Sequence, residues 1–207
     1  MRYLKEPLEE ITEITAKMQY SLRNYPGSVK RPYLRSEAKN RLLKANEYAQ
    51  KTYNSSILIW DAYRTSLCQG FLFYNFYSTL KKDISNGAQL VQNTLKFVAW
   101  PDDYAPHKSG GTIDMTLIDI NGTPLPMGGE YDELTERSFT AYYERDNLSS
   151  AEIIYRDNRR KIQDVMLKVG FINYEEEWWH FEYKTRRYAK MHNETEIYGP
   201  INATPKP

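Results

Sequence analysis

The chain has 207 residues, with 28 basic against 27 acidic side chains, a formal net charge of +1, 41% hydrophobic and 14% aromatic content. That balance excludes a disordered chain and leaves no global field to steer nucleic acid or an anionic membrane surface to it. One cysteine, Cys68, excludes an internal disulfide framework, and no apolar run reaches transmembrane length. The size fits a single domain over residues 1–207 with a sizeable core. Met1-Arg2-Tyr3-Leu4-Lys5-Glu6 lacks the apolar stretch of a signal peptide. The expectation is a cytoplasmic protein, or a periplasmic or secreted one from which a leader has been removed.

Residues 1–34 carry mixed charge, and Pro7, Pro26 and Pro32 argue against a long helix there. Ser36 is the expected N-cap of a helix reaching Tyr53, with Leu42, Leu43, Ala45 and Ala49 as its apolar stripe. Ser56-Ile57-Leu58-Ile59-Trp60 is a short continuous apolar run that suits a central strand, and Asp61, Tyr63 and Arg64 follow at its end. An arginine there is either a salt-bridge partner or a functional cation on a rigid support. Residues 65–80 read as an aromatic-rich helix that would bury Cys68 as a small hydrophobe, and 88–98 as a second helical or irregular segment.

The first chemistry lies between Pro106 and Asp119. His107 is followed seven residues later by Asp114, with Gly110 and Gly111 between them, and 113–120 reads as a buried strand. A glycine-rich turn entering a strand can fold the imidazole back beside the carboxylate. The result is either a hydrogen-bonded structural pair or two of the three protein ligands that a catalytic zinc needs. Asn121-Gly122 marks a tight turn, and 137–148 reads as a loop. Ser149-Ser150-Ala151-Glu152 opens a capped helix that ends near Val169, with Gly170 as its stop. Ile153, Ile154, Ile162, Val165, Met166 and Val169 supply its buried side, and Arg159-Arg160-Lys161 are expected to be solvated.

The second chemistry is Glu175-Glu176-Glu177-Trp178-Trp179-His180-Phe181. His180 is the candidate third ligand beside His107 and Asp114, and Glu177 is close enough to act on a water held there. Residues three apart on an ideal strand face opposite ways. Glu177 must therefore sit on the loop entering the strand expected over 178–183, or a bulge must re-aim it. Lys184, Arg186, Arg187 and Lys190 read as a solvated basic cluster, and His192 as a surface histidine. The tail over 198–207 is expected to be extended or mobile.

The His-x-x-Gly-x-x-x-Asp run at 107–114 and the Glu-Trp-Trp-His run at 177–180 resemble the zinc D-alanyl-D-alanine dipeptidases, the VanX-type branch of the M15 peptidases. Asp61-Ala62-Tyr63-Arg64 is similar to that family's Asp-Gly-Tyr-Arg, and Pro126-Met127-Gly128 with Tyr131-Asp132 to its Pro-Met-Gly-x-x-Phe-Asp. Together the motifs span about residues 20 to 183. The resemblance implies an α+β fold, a central mostly antiparallel sheet flanked by helices, like that of hedgehog and D,D-peptidase domains. It implies one zinc per chain on His107, Asp114 and His180, with Glu177 as proton shuttle and Arg64 stabilising the oxyanion. Asp132 and Tyr20 would hold the amino end of a small D-amino dipeptide. Without the resemblance, Asp132 would pass for one of several solvated acids, and Tyr20 for a core or rim aromatic.

Two departures bear on substrate choice. The family carries serine two residues before the first histidine, where it helps bind the substrate carboxylate; here that residue is Ala105. Alanine two residues before the ligand aspartate is Thr112 here. Two other readings stand beside the dipeptidase: a metallo D,D- or L,D-carboxypeptidase trimming peptidoglycan stems, and a non-catalytic wall-binding relative. Retention of both Glu177 and Arg64 argues against the last.

Overall fold

A computed structural model describes residues 1–102, 104–133 and 135–201. The chain begins with β1 (Arg2–Leu4), β2 (Leu8–Glu10), the single turn α1 (Gln19–Leu22), β3 (Tyr33–Arg35) and α2 (Ser36–Tyr53). It continues through β4 (Ser56–Asp61), α3 (Ser66–Leu80), α4 (Gly87–Leu95) and β5 (Thr112–Ile118). The last third holds α5 (Ser150–Leu167), β6 (Ile172–Tyr174), β7 (Glu177–Glu182), α6 (Arg186–His192) and β8 (Glu196–Tyr198).

β4, β5, β7 and β6 form the central sheet in that order, and every neighbouring pair is antiparallel. Period-two alternation along β5 divides its side chains between two tasks. Ile113, Met115 and Leu117 join the main core with Ile57 and Ile59 of β4, Phe181 of β7, Leu42, Ala45 and Ala49 of α2, and Ile162, Val165 and Met166 of α5. Thr112, Asp114 and Thr116 alternate with them and are buried too. The expected α+β architecture, with a mostly antiparallel sheet and flanking helices, is borne out.

Local chemistry sets the element ends. Ser149 accepts from the Glu152 amide while the Glu152 carboxylate accepts from Ser149, the reciprocal cap expected at the start of α5. At α2 the expectation is off by one residue. Arg35 holds the N-cap position without a side-chain cap, and the Ser36 hydroxyl donates to Glu9 instead, tying the helix start to β2. Thr65 caps α3, which buries Cys68, and burial pushes that thiol up to about 12, as befits a small hydrophobe rather than a nucleophile.

Three other expectations are corrected. Ile153 and Ile154 are exposed near the start of α5 rather than on its buried side. Arg159 is 2% exposed rather than solvated. Its guanidinium donates to the carbonyls of Met127, Arg137 and Phe139 at 2.8, 2.6 and 2.6 Å. It lies three residues before Ile162 on the buried stripe of α5, which overrides the basic run around it. The tail does not begin at Tyr198. Glu196–Tyr198 pairs in parallel with Arg2–Leu4, and the buried Tyr198 ring lies against Gly111 while its hydroxyl donates to Glu6. Residues 202–207 of that expectation lie outside the described residues. No helix among the described residues is long and apolar enough to cross a membrane.

Candidate metal centre and active-site cleft

Three adjacent strands bring the reactive groups to one line. Asp61 at the end of β4 pairs with Asp114 across a register shift, and Asp114 pairs directly with His180. Cross-strand neighbours on one face lie about 5 Å apart, so pairing alone converges their side chains. His107 arrives from a tight 3-10 turn over Pro106–Ser109, followed by Gly110 at φ 75°. A Cβ on Gly111 would stand 2.2 Å from the Tyr183 carbonyl oxygen, so only glycine lets the turn close on the sheet.

One ligand atom each from His107, Asp114 and His180 lies within 4.8 Å of the others, and all three residues are buried. His107 Nδ1 lies 2.6 Å from the Ala62 carbonyl, which can only accept, so the proton belongs on Nδ1. That leaves Nε2 as an acceptor 3.3 Å from Asp114 Oδ1, buried and without a hydrogen bond. His180 is held the other way round: Nε2 meets Glu182 Oε1 at 3.1 Å, and Nδ1 faces Asp114 Oδ1 at 3.0 Å. An outer carboxylate orienting a ligating imidazole is a usual support for zinc. Asp61, Asp114, Glu177 and Glu182 surround these two rings and Arg64, so four acidic groups stand ready to balance a divalent cation. The donor set therefore fits zinc: two imidazole nitrogens and a carboxylate, with Nε2 of His107 still seeking a partner.

The electrostatics separate the carboxylates. Burial would raise Asp114, but His107 and His180 outweigh it and hold that group well below the usual range. Burial raises Glu177 to about 8; His180 lowers it, and Asp114 and Asp132 add to the rise. His180 is raised to about 10, because its hydrogen bonds to Asp114 and Glu182 overcome a burial that opposes its charge. Glu177 Oε2 lies 3.4 Å from His180 Nδ1 although the two are three residues apart on β7. Of the two expected routes, the loop and the bulge, the chain takes the second: opposite the step from Asn173 to Tyr174, the register on β7 jumps from Phe181 to Glu177.

Arg64 is 7% exposed, and its Nε and Nη1 donate to Asp61 Oδ2 at 2.9 Å and Gln69 Oε1 at 2.8 Å. Its Nη2 faces the Tyr20 hydroxyl at 3.4 Å and Asp114 Oδ2 at 3.5 Å. Tyr20 in turn donates to Asp132 Oδ1 at 3.0 Å. Asp132 adopts a left-handed φ of 63°, a conformation that aspartate tolerates better than most residues. Burial raises its carboxyl to about 6, against the pull of Arg23, whose Nη1 lies 2.8 Å from Oδ2.

All seven residues singled out in the sequence, Tyr20, Arg64, His107, Asp114, Asp132, Glu177 and His180, line one cleft of about 170 Å³. Phe76 of α3 and Leu95 of α4 contribute to its wall. Sequence reasoning missed Glu182, Tyr131 and Arg187. Glu182 stands two residues beyond His180, so strand periodicity alone puts both on one face. Tyr131 replaces a family phenylalanine, and its hydroxyl donates to Asp114 Oδ2 at 2.8 Å. Arg187 is not simply solvated: it lines the cleft and pairs with Glu182 at 3.3 Å.

The chain matches the M15 peptidase family described as D-ala-D-ala dipeptidase over residues 14–197. It is 30% identical over 156 residues to a D-alanyl-D-alanine dipeptidase of Synechocystis sp., covering 67% of this chain and 63% of the relative. It thus spans under two thirds of that relative's length. A D-alanyl-D-alanine dipeptidase of Enterococcus faecium is 27% identical over 160 residues, covering 75% of each chain. Among solved structures, the vancomycin-resistance D,D-pentapeptidase VanY in complex with Zn(II) superposes with a TM-score of 0.55 at 14% identity, over 94% of this chain and 88% of that one. That likeness concerns the fold. The match over nearly the whole chain, a span that includes the residues converging in the cleft, makes this protein a member of the M15 D-ala-D-ala dipeptidase family.

Proposed function

We propose that the chain is a zinc-dependent peptidase that hydrolyses D-alanyl-D-alanine or a related D-amino dipeptide. The observation that carries this reading is the single cleft in which the His107, Asp114 and His180 cluster, Glu177, Arg64 and Asp132 all meet. His107 through Nε2, His180 through Nδ1 and Asp114 would hold one zinc per chain. Zinc bound there supplies a Lewis acid that polarises a peptide carbonyl and makes water a nucleophile near neutral pH. Glu177, raised to about 8, sits near the pH at which a carboxyl can both take and return a proton. It accepts the proton of the attacking water and delivers it to the departing amine. Arg64 places its Nη2 edge beside Asp114, where it meets the negative charge that grows on the carbonyl oxygen. Asp132, backed by the Tyr20 hydroxyl, receives the substrate ammonium group.

One observation favours a second reading, a D,D-carboxypeptidase acting on longer stem peptides. Asp132 already has a cation, Arg23, at 2.8 Å, so an acylated amine would not leave it unpaired. The deciding experiment is hydrolysis of free D-Ala-D-Ala beside an N-acylated tripeptide ending in it, with metal analysis of the same sample. The dipeptidase reading expects about one zinc per chain and a clear preference for the free dipeptide. Equal kcat/KM for both substrates transfers the assignment to the carboxypeptidase.

A further inference from the structure

A free dipeptide is a zwitterion, and a site that selects it needs a counter-charge at each end. Asp132 serves the amino end. The cleft is lined by three cations, Arg64, Lys96 and Arg187. Arg64 already spends its donors on Asp61 and Gln69 and turns its remaining edge to Tyr20 and Asp114. Lys96 shares a side recess with Asp132, Phe76 and Phe97, which places it at the amino end. Arg187 shares a different recess with Pro106, Glu182 and the methyl-bearing Ala105, and nothing in that recess belongs to the Asp132 end. The metal-binding cluster stands between: Glu182 links Arg187 to His180, whereas Tyr20 and Arg64 link Asp132 to Asp114.

Arg187 is also held ready. Its Nε lies 3.3 Å from Glu182 Oε1, and its guanidinium lies 3.7 Å from the centre of the Tyr174 ring. Stacking and one ion pair fix the plane of the group while the side chain keeps 37% exposure. A guanidinium so fixed loses little freedom on gripping a carboxylate through its outer nitrogens. Ala105, in the same recess, offers no side-chain donor of its own.

Resting on the dipeptidase reading, we propose that Arg187 binds the substrate's terminal carboxylate and makes the enzyme select a free C-terminus. The test uses the zinc-loaded full chain with D-Ala-D-Ala and its C-terminal amide. The parent should prefer the acid. Arg187→Gln should raise KM for the acid about 10–100-fold, the range expected for a lost charge-assisted hydrogen bond, with kcat within a few-fold. The amide, which offers Arg187 no charge, should lose less than the acid does, the zinc content should stay intact, and Arg187→Lys should recover part of the acid preference. Lys96→Ala should leave the ratio of acid to amide as in the parent. An unchanged ratio in Arg187→Gln, or a shifted one in Lys96→Ala, overturns the inference while leaving the dipeptidase standing. So does loss of zinc from Arg187→Gln, which would mean that the residue acts only through Glu182. If the parent cleaves neither substrate, the dipeptidase reading fails and takes this inference with it.

Discussion

Among the described residues two arginines are buried, and they are buried for different ends. Arg64 turns its donors to side chains that themselves ionise or hydrogen-bond: Asp61, Gln69, Tyr20 and Asp114. Arg159 turns all three faces of its fork to backbone carbonyls. The consequences for charge are opposite. Burial opposes the Arg64 cation, but its acidic and phenolic neighbours outweigh that and raise it well above the ordinary value. Burial pulls Arg159 down to about 10, still charged at neutral pH, since it gains less from Tyr143, whose ring centre lies 4.8 Å from its guanidinium, and from Glu133. A buried cation among acids is placed to answer changes of charge. A buried cation among carbonyls fixes shape. The shape in question matters here, because Met127, Arg137 and Phe139 bracket the loop that carries Asp132.

The largest effects belong to the cleft around Arg64. His180→Ala should lose both zinc and activity, since one of the three proposed ligands is gone. Glu177→Gln should keep zinc and lose about 10²–10⁴ in kcat, the usual contribution of a general acid–base group. Zinc retained at full stoichiometry in His180→Ala would remove that residue from the ligand set. A kcat within a few-fold of the parent in Glu177→Gln would remove Glu177 from proton transfer.

The next test sets the two arginines against each other. Arg64→Met should lower kcat by about 10²–10³, the effect of deleting one preorganised donor to a developing oxyanion. Arg159→Met should leave kcat within a few-fold but strand three carbonyls, at a cost of about 3 kcal/mol. For a domain of this size that is a fall of about 6–12 °C in Tm. KM should rise with it, as the Asp132 loop loosens. The contrast collapses if Arg159→Met lowers kcat as much as Arg64→Met does at a temperature where both are folded.

The sequence made the Arg64 side of this contrast readable and hid the other. Residues of the reactive cluster come in short runs, His107 to Asp114 and Glu177 to His180, whose residue types have few other joint uses. That Glu177 needed either a loop position or a bulge was deducible, because a regular strand cannot turn both groups to one side; the structure selects the bulge. Arg159 was misread since a run of three basic residues outweighed its place on the stripe with Ile162 and Met166. Arg187 and Tyr198 were hidden for another reason. Their partners, Tyr174 and Glu182 for one, Glu6 and Gly111 for the other, are set by how α6 and the chain end return across the sheet. No local pattern encodes such returns.

The smallest expected effect is the most specific to the loop that Arg159 braces. Asp132 titrates at about 6, because burial raises it more than Arg23 and Arg64 lower it. An ammonium group is drawn to Asp132 only when that carboxyl is ionised, so the attraction is present above about pH 6 and fades as pH falls through it. Free and N-acetylated D-Ala-D-Ala share the same chemistry at the scissile bond, and the ratio of their kcat/KM values cancels every titration common to both. That ratio should drop about tenfold between pH 7.5 and pH 5, roughly what a lost ion pair worth 1.4 kcal/mol gives. Asp132→Asn should show a small ratio with no pH dependence. Arg23→Ala should raise the ratio at pH 7.5, since it removes the cation that competes for Oδ2 at 2.8 Å. In Arg159→Met the ratio should be reduced at every pH, because the loop no longer presents Asp132 in one place. A ratio that stays level across this range in the parent would mean that Asp132 does not receive the substrate's amine, whatever Arg159 does for the loop.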